Sequence, residues 1–77
     1  MNHSRIARNH EIMLGKPVIR GTRIPVELIL RKIAEGASTP DLLDAYPRLT
    51  SEDIQAALQY AADVIGLEEI TYSEAKQ

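Results

Sequence analysis

From Val26 onward the apolar positions keep a helical rhythm. Val26, Ile29, Leu30, Ile33 and Ala34 fall at i, i+3, i+4, i+7 and i+8, which puts them on one face of a helix. Pro25 suits the first turn of that helix, and Gly36 supplies its stop, because a residue without Cβ can turn left-handed and close the last carbonyls. A second, short helix is predicted from Thr39 as cap, Pro40 at the first helical position and Asp41 near the positive end of the dipole. Leu42, Leu43 and Tyr46 are its apolar contacts, and Pro47 ends it at Tyr46. Thr50 caps a third helix with Asp53 three residues on, a capping-box spacing. Ile54, Ala57, Leu58, Ala61 and Ile65 form its core stripe, widened by Ala62 and Val64, and Gly66 is its expected stop.

The pattern on either side of these helices is different. Ile6 to Ile24 is rich in Ile and Val, is broken by Gly15, Pro17 and Gly21, and has no helical period, so it predicts short strands or an extended arm. The expected strands are Glu11 to Leu14 and Pro17 to Arg20, joined by a tight turn at Leu14-Gly15-Lys16-Pro17. A hairpin this small leaves its edges unpaired, which favours a homodimer formed through the N-terminal strands. Residues 67–77 hold Leu67, Ile70 and Tyr72 among acids with no period and are read as a C-terminal tail. The predicted architecture is mainly α: a three-helix helix-turn-helix core preceded by a short β-hairpin or extended arm. Residues 1–66 make one domain and 67–77 the tail.

Composition narrows the choice. A chain of 77 residues supports one modest core, and with no Cys and two His it has neither disulfides nor a zinc set to staple it. Oligomerisation is the remaining staple. No stretch joins a basic start to the long apolar run of a leader or membrane span, and a cytoplasmic location is the expectation. His3 and His10 stand seven residues apart without a carboxylate pair, and Gly15-Lys16 lacks the glycine and hydroxyl residues of a phosphate-binding loop. No catalytic constellation, metal or cofactor is indicated, so the protein is not expected to be an enzyme.

Charge changes the picture more than the net value of −2 suggests. Through Glu35, Arg5, Arg8, Lys16, Arg20, Arg23, Arg31 and Lys32 oppose Glu11, Glu27 and Glu35, a balance of +4. Beyond it, Arg48 and Lys76 oppose Asp41, Asp44, Glu52, Asp53, Asp63, Glu68, Glu69 and Glu74, a balance of −6. A polyanion would prefer the first half. In a helix-turn-helix the third helix is the reader, with Thr50 and Ser51 at its start and Gln55 and Gln59 on its outer face, where glutamine can pair bidentately with adenine. Lys16, Arg20 and Arg23, in the extended segment, and Arg48, in the turn, are the candidate phosphate contacts. Glu52, Asp53 and Asp63 oppose such docking, which keeps a second reading open: a protein-interaction or oligomerisation module of helix-turn-helix shape without DNA contacts.

The run Gly15-Lys16-Pro17-Val18-Ile19-Arg20-Gly21-Thr22-Arg23-Ile24-Pro25-Val26 resembles the domain-of-unknown-function family numbered 433. The likeness continues through Glu35-Gly36, Leu42-Leu43, Tyr46-Pro47-Arg48-Leu49-Thr50 and the segment from Glu52 to Ala61. The resemblance implies a homeodomain-like helix-turn-helix behind small strands, and a VapB-like antitoxin encoded beside a PIN-like nuclease toxin. Such an antitoxin binds its own promoter through its N-terminal part and neutralises the toxin with the segment beyond. The tail here holds one Lys and three Glu, so its toxin contacts would be Leu67, Ile70 and Tyr72 rather than a cationic plug.

Overall fold

The computed structural model describes residues 3–8, 11 and 13–76, with Met13 and residues 68–76 described by their backbone alone. The chain forms strand β1 (Ile6–Arg8), a single 3-10 turn (Met13–Gly15), strand β2 (Pro17–Ile19), and helices α1 (Val26–Ala34), α2 (Thr39–Ala45) and α3 (Ser51–Lys76). The fold is mainly helical: three helices behind a two-stranded antiparallel hairpin.

The hairpin is real, but its first strand lies earlier than the sequence suggests. Ile6 pairs with Ile19, Ala7 with Val18 and Arg8 with Pro17. The residues read as a first strand instead hold a turn at Glu11 and the 3-10 turn, while Ile12 lies outside the described residues. Leu14, exposed and with φ of 55°, sits where a branched side chain is strained, a conformation that breaks a strand. The pairing places Ile6 and Ile19 side by side against the helices, where both are buried. Val18 also bridges Pro25, which turns the chain into α1.

Each helix begins and ends for an identifiable reason. Pro25 precedes α1 as its extended N-cap rather than lying inside the first turn, and Gly36 follows the C-cap Glu35 with φ of 103°, the expected left-handed stop. The cap of α2 is Ser38, one residue before the predicted Thr39: its hydroxyl accepts from the Asp41 N–H at 3.2 Å, and Asp41 accepts from the Ser38 N–H at 2.9 Å. At α3 the predicted box is present, the Asp53 N–H donating to the Thr50 hydroxyl and the Thr50 N–H to the Asp53 carboxylate, each at 3.1 Å.

The core gathers Ile6 and Ile19 from the hairpin, Val26 and Ile29 from α1, Leu42 from α2, Leu49 from the turn, and Ile54 and Ala57 from α3. Two expectations for α3 fail. Leu58, Val64 and Ile65, read as part of the core stripe, are 43%, 44% and 53% exposed, because the body covers the flank of α3 that carries Ile54, Ala57 and Tyr60 and not the adjoining one. Gly66 does not stop the helix, which runs on to Lys76; Gly66 is not among the positive-φ glycines, and with no left-handed residue the ladder continues. At 26 residues α3 is roughly 39 Å long, and the core it contributes to ends at Tyr60. Among the described residues no helix is long and apolar enough to cross a membrane.

Candidate nucleic-acid interface

The segment that reads as a cationic arm is folded into the body. Arg20 turns back on the hairpin, its Nε donating to the Ser4 carbonyl at 2.6 Å and its Nη2 to the Ile6 carbonyl at 3.2 Å, while its N–H bonds the Arg5 carbonyl. Thr22 closes the next turn by donating its hydroxyl to the Ile19 carbonyl and accepting from the Ile24 N–H. Arg48, from the turn before α3, donates to the Gly21 carbonyl at 2.8 Å across 27 positions of sequence. Arg23 is exposed and, among the described residues, makes no side-chain hydrogen bond. With Gly21, Thr22, Ile24 and Arg48 it lines a concavity of ≈ 540 Å³.

A fourth arginine, absent from the sequence-derived phosphate contacts, joins them. Arg5 lies beside the first turn of α3, its Nη1 donating to Asp53 Oδ1 at 3.1 Å over a separation of 48 positions. The Arg20 N–H bonds the Arg5 carbonyl, Arg48 reaches Gly21 next to Arg20, and Arg23 shares a concavity with Arg48; of these four, Arg5 is the one bonded to α3. Lys16 is not among them; it pairs with Glu27 of α1 at 3.2 Å, and Glu27 also takes Arg31 at 2.9 Å. Those bonds, Arg31 first and then Lys16, hold the Glu27 carboxyl below its ordinary range.

Thr50 is occupied as the cap of α3. Ser51, Gln55 and Gln59 are exposed along the helix, as the helical period requires. Gln59 donates to Asp63 Oδ1 at 2.9 Å, whereas Gln55 makes no side-chain hydrogen bond among the described residues. Two of the three opposing acids are neutralised or distant. Asp53 is 7% exposed and serves both the cap and Arg5. Asp63 lies ten residues on, roughly 15 Å along the axis. Glu52 is the acid left at the surface near the arginines, its carboxyl held low by its own N–H and by the Ser51 hydroxyl.

The N-terminal segment flanks this face as a strap. His3 sets its ring edge-on against Tyr60, with centroids 5.1 Å apart, and its Nε2 stands 3.1 Å from Asp63 Oδ2. That oxygen is buried and, among the described residues, accepts no well-aligned hydrogen bond. A groove of ≈ 710 Å³ runs between His3, Ser4 and Arg5 on one side and Gln55, Leu58, Gln59 and Ala62 on the other. His10 lies outside the described residues, and among those described no three His, Cys, Asp or Glu side chains converge as a metal site would need. Leu67 is exposed; the side chains of Ile70 and Tyr72 lie outside what is described.

A capped turn between α2 and α3 and a third helix with a polar outer face complete a small three-helix domain carrying a β-hairpin. The model of the family described as "protein of unknown function (DUF433)" matches residues 6–61, and the chain belongs to that family. It is similar to a crystal structure of a DUF433 member from Anabaena variabilis, with 35% identity and a TM-score of 0.74 over 92% of this chain and 68% of that one. It is also similar to "Uncharacterized protein y4eO" of Sinorhizobium fredii, 39% identical over 56 residues that make up 73% of this chain and a quarter (25%) of that protein.

Proposed function

We propose that the protein is a DNA-binding regulator of the antitoxin type, which docks on a duplex with the N-terminal half of α3 and engages a partner protein with the part of α3 that outruns the core. The observation that carries the reading is Arg5 on the first turn of a helix that presents Ser51 and Gln55 to solvent, with Arg48 in the turn before it and Arg23 exposed in the concavity that Arg48 lines. Arginines at that place give the phosphate contacts that set register, the helix N-terminus adds a partial positive charge, and the outward amide can read a base edge. In the antitoxin reading the duplex is the protein's own promoter and the partner a PIN-like toxin, met through Leu67, Ile70 and Tyr72.

The test is fluorescence anisotropy of the protein against the duplex upstream of its own gene and a scrambled duplex, over a range of salt. Preference for the native duplex and a steep loss of affinity with salt are expected. Arg23→Ala is the informative variant, because among the described residues Arg23 makes no side-chain hydrogen bond or ion pair: binding should weaken on every sequence and the salt slope fall by about one. Absence of binding at low salt would sink the DNA reading. The second reading, an interaction module without DNA contacts, is favoured by the exposed Leu58, Val64, Ile65 and Leu67 on α3.

A further inference from the structure

Leu58, Ala61, Ala62 and Ile65 recur on α3 at i, i+3, i+4 and i+7, the spacing of a helix face that packs on another helix. Leu58 is 43% and Ile65 53% exposed, so the core leaves much of this stripe uncovered. We propose that a second copy covers it, α3 pairing antiparallel with the partner's α3 about a two-fold axis that passes between Ala61 and Ala62.

Two observations select this occupant and this direction. The stripe is self-complementary: the two-fold sets Leu58 against the partner's Ile65, and Ala61 against the partner's Ala62, where small side chains let the helices approach closely. Charge along α3 is polar as well. At its start Arg5 offsets Asp53 and Arg48 stands in the preceding turn, with Glu52 between them, whereas its last turns carry Glu68, Glu69 and Glu74 against Lys76. Antiparallel pairing keeps the two acidic ends apart, whereas parallel pairing would stack them on each other. In the hairpin, which is expected from the sequence to dimerise, Pro25 meets the flank of β2 and the edge of β1 is the alternative seam.

The pairing deepens the DNA reading and rests on it in one respect. At 100° per residue, Gln55 and Gln59 lie about 60° and 100° round the helix from Leu58, and a two-fold normal to the helix pair carries both copies' glutamines to the same side. The starts of the two α3 helices then stand roughly 30 Å apart, near one turn of B-DNA.

Sedimentation equilibrium on the full chain, with and without Leu58→Glu plus Ile65→Glu, tests the dimer. Both positions are exposed in one copy, so the variant should keep its helical circular dichroism while dimerisation weakens at least tenfold. The chain has no Cys, so a spin label on Ser51→Cys reports direction: the antiparallel pair predicts roughly 30 Å between labels, a parallel one much less. A monomer at all concentrations, a dimer indifferent to the two glutamates, or a short label distance would overturn the proposal. DNA titration of the unlabelled samples, with Ser51 intact, separates the two ideas. A dimer of the stated geometry that ignores DNA sinks the DNA reading alone, and a DNA-binding monomer sinks this one alone.

Discussion

Asp53 is the residue on which most depends. It accepts from the Thr50 N–H and from Arg5, and its own N–H finds the Thr50 hydroxyl, so replacing it removes a helix cap and a tertiary anchor together. Asp53→Ala should lower stability by about 2 kcal/mol in urea denaturation, and Asp53→Asn by less, since the amide oxygen can still cap. Arg20 makes a contrasting case. Although it reads as a phosphate contact, its guanidinium donates to the Ser4 and Ile6 carbonyls, so Arg20→Ala should cost about 1 kcal/mol of stability whatever it does to DNA binding. Acid acts on exposed carboxylates. The Ser38 N–H and hydroxyl keep Asp41 below its ordinary range, and Arg31 and Lys16 do the same for Glu27. A lowered folded pKa contributes stability that is present above the ordinary carboxylate value and lost as pH falls through the lowered one. Circular dichroism followed downward from pH ~5 should therefore show α1 and α2 losing support only in the acid range.

At the level of elements, two glycines with the same predicted role behave oppositely. Gly36 adopts φ of 103° and ends α1, while Gly66 lies inside α3, and neither has a neighbour within 4 Å of an added Cβ. Space is therefore not at issue, and backbone alone decides the sign: Gly36→Ala should cost about 1 kcal/mol, and Gly66→Ala should favour the distal helix by up to about 1 kcal/mol, read as a gain in helical ellipticity. The same contrast explains what the sequence could convey. Signals completed within a few residues were legible: the Val26 to Ile33 period, the Thr50 and Asp53 box and the β-strand from Pro17. Where two local solutions compete, sequence alone cannot choose, as with Ser38 and Thr39, both hydroxyls ahead of Pro40. Three residues, Ile6 to Arg8, are too few to show an alternation. Contacts between remote residues left no trace, which is why Arg5 and its partner 48 positions away went unseen and why Leu58 was assigned to the core.

For the molecule as a whole, the division along α3 has a measurable corollary. The buried core ends with Ala57, and the half-buried residues packed on it end with Tyr60. A chain truncated after Gly66 keeps both Leu58 and Ile65, so the dimer proposed above should persist in it by sedimentation equilibrium. The bond between Arg5 and Asp53 also sets an order in time. The cap closes between neighbours and can form as soon as α3 nucleates, whereas the strap must bring in a residue 48 positions away, which delays loop closure until the helix is already there to receive it. Arg5→Ala should then accelerate unfolding and leave the refolding rate almost unchanged, and Thr50→Ala should slow refolding, so that the two partners of one carboxylate fall on opposite limbs of the chevron.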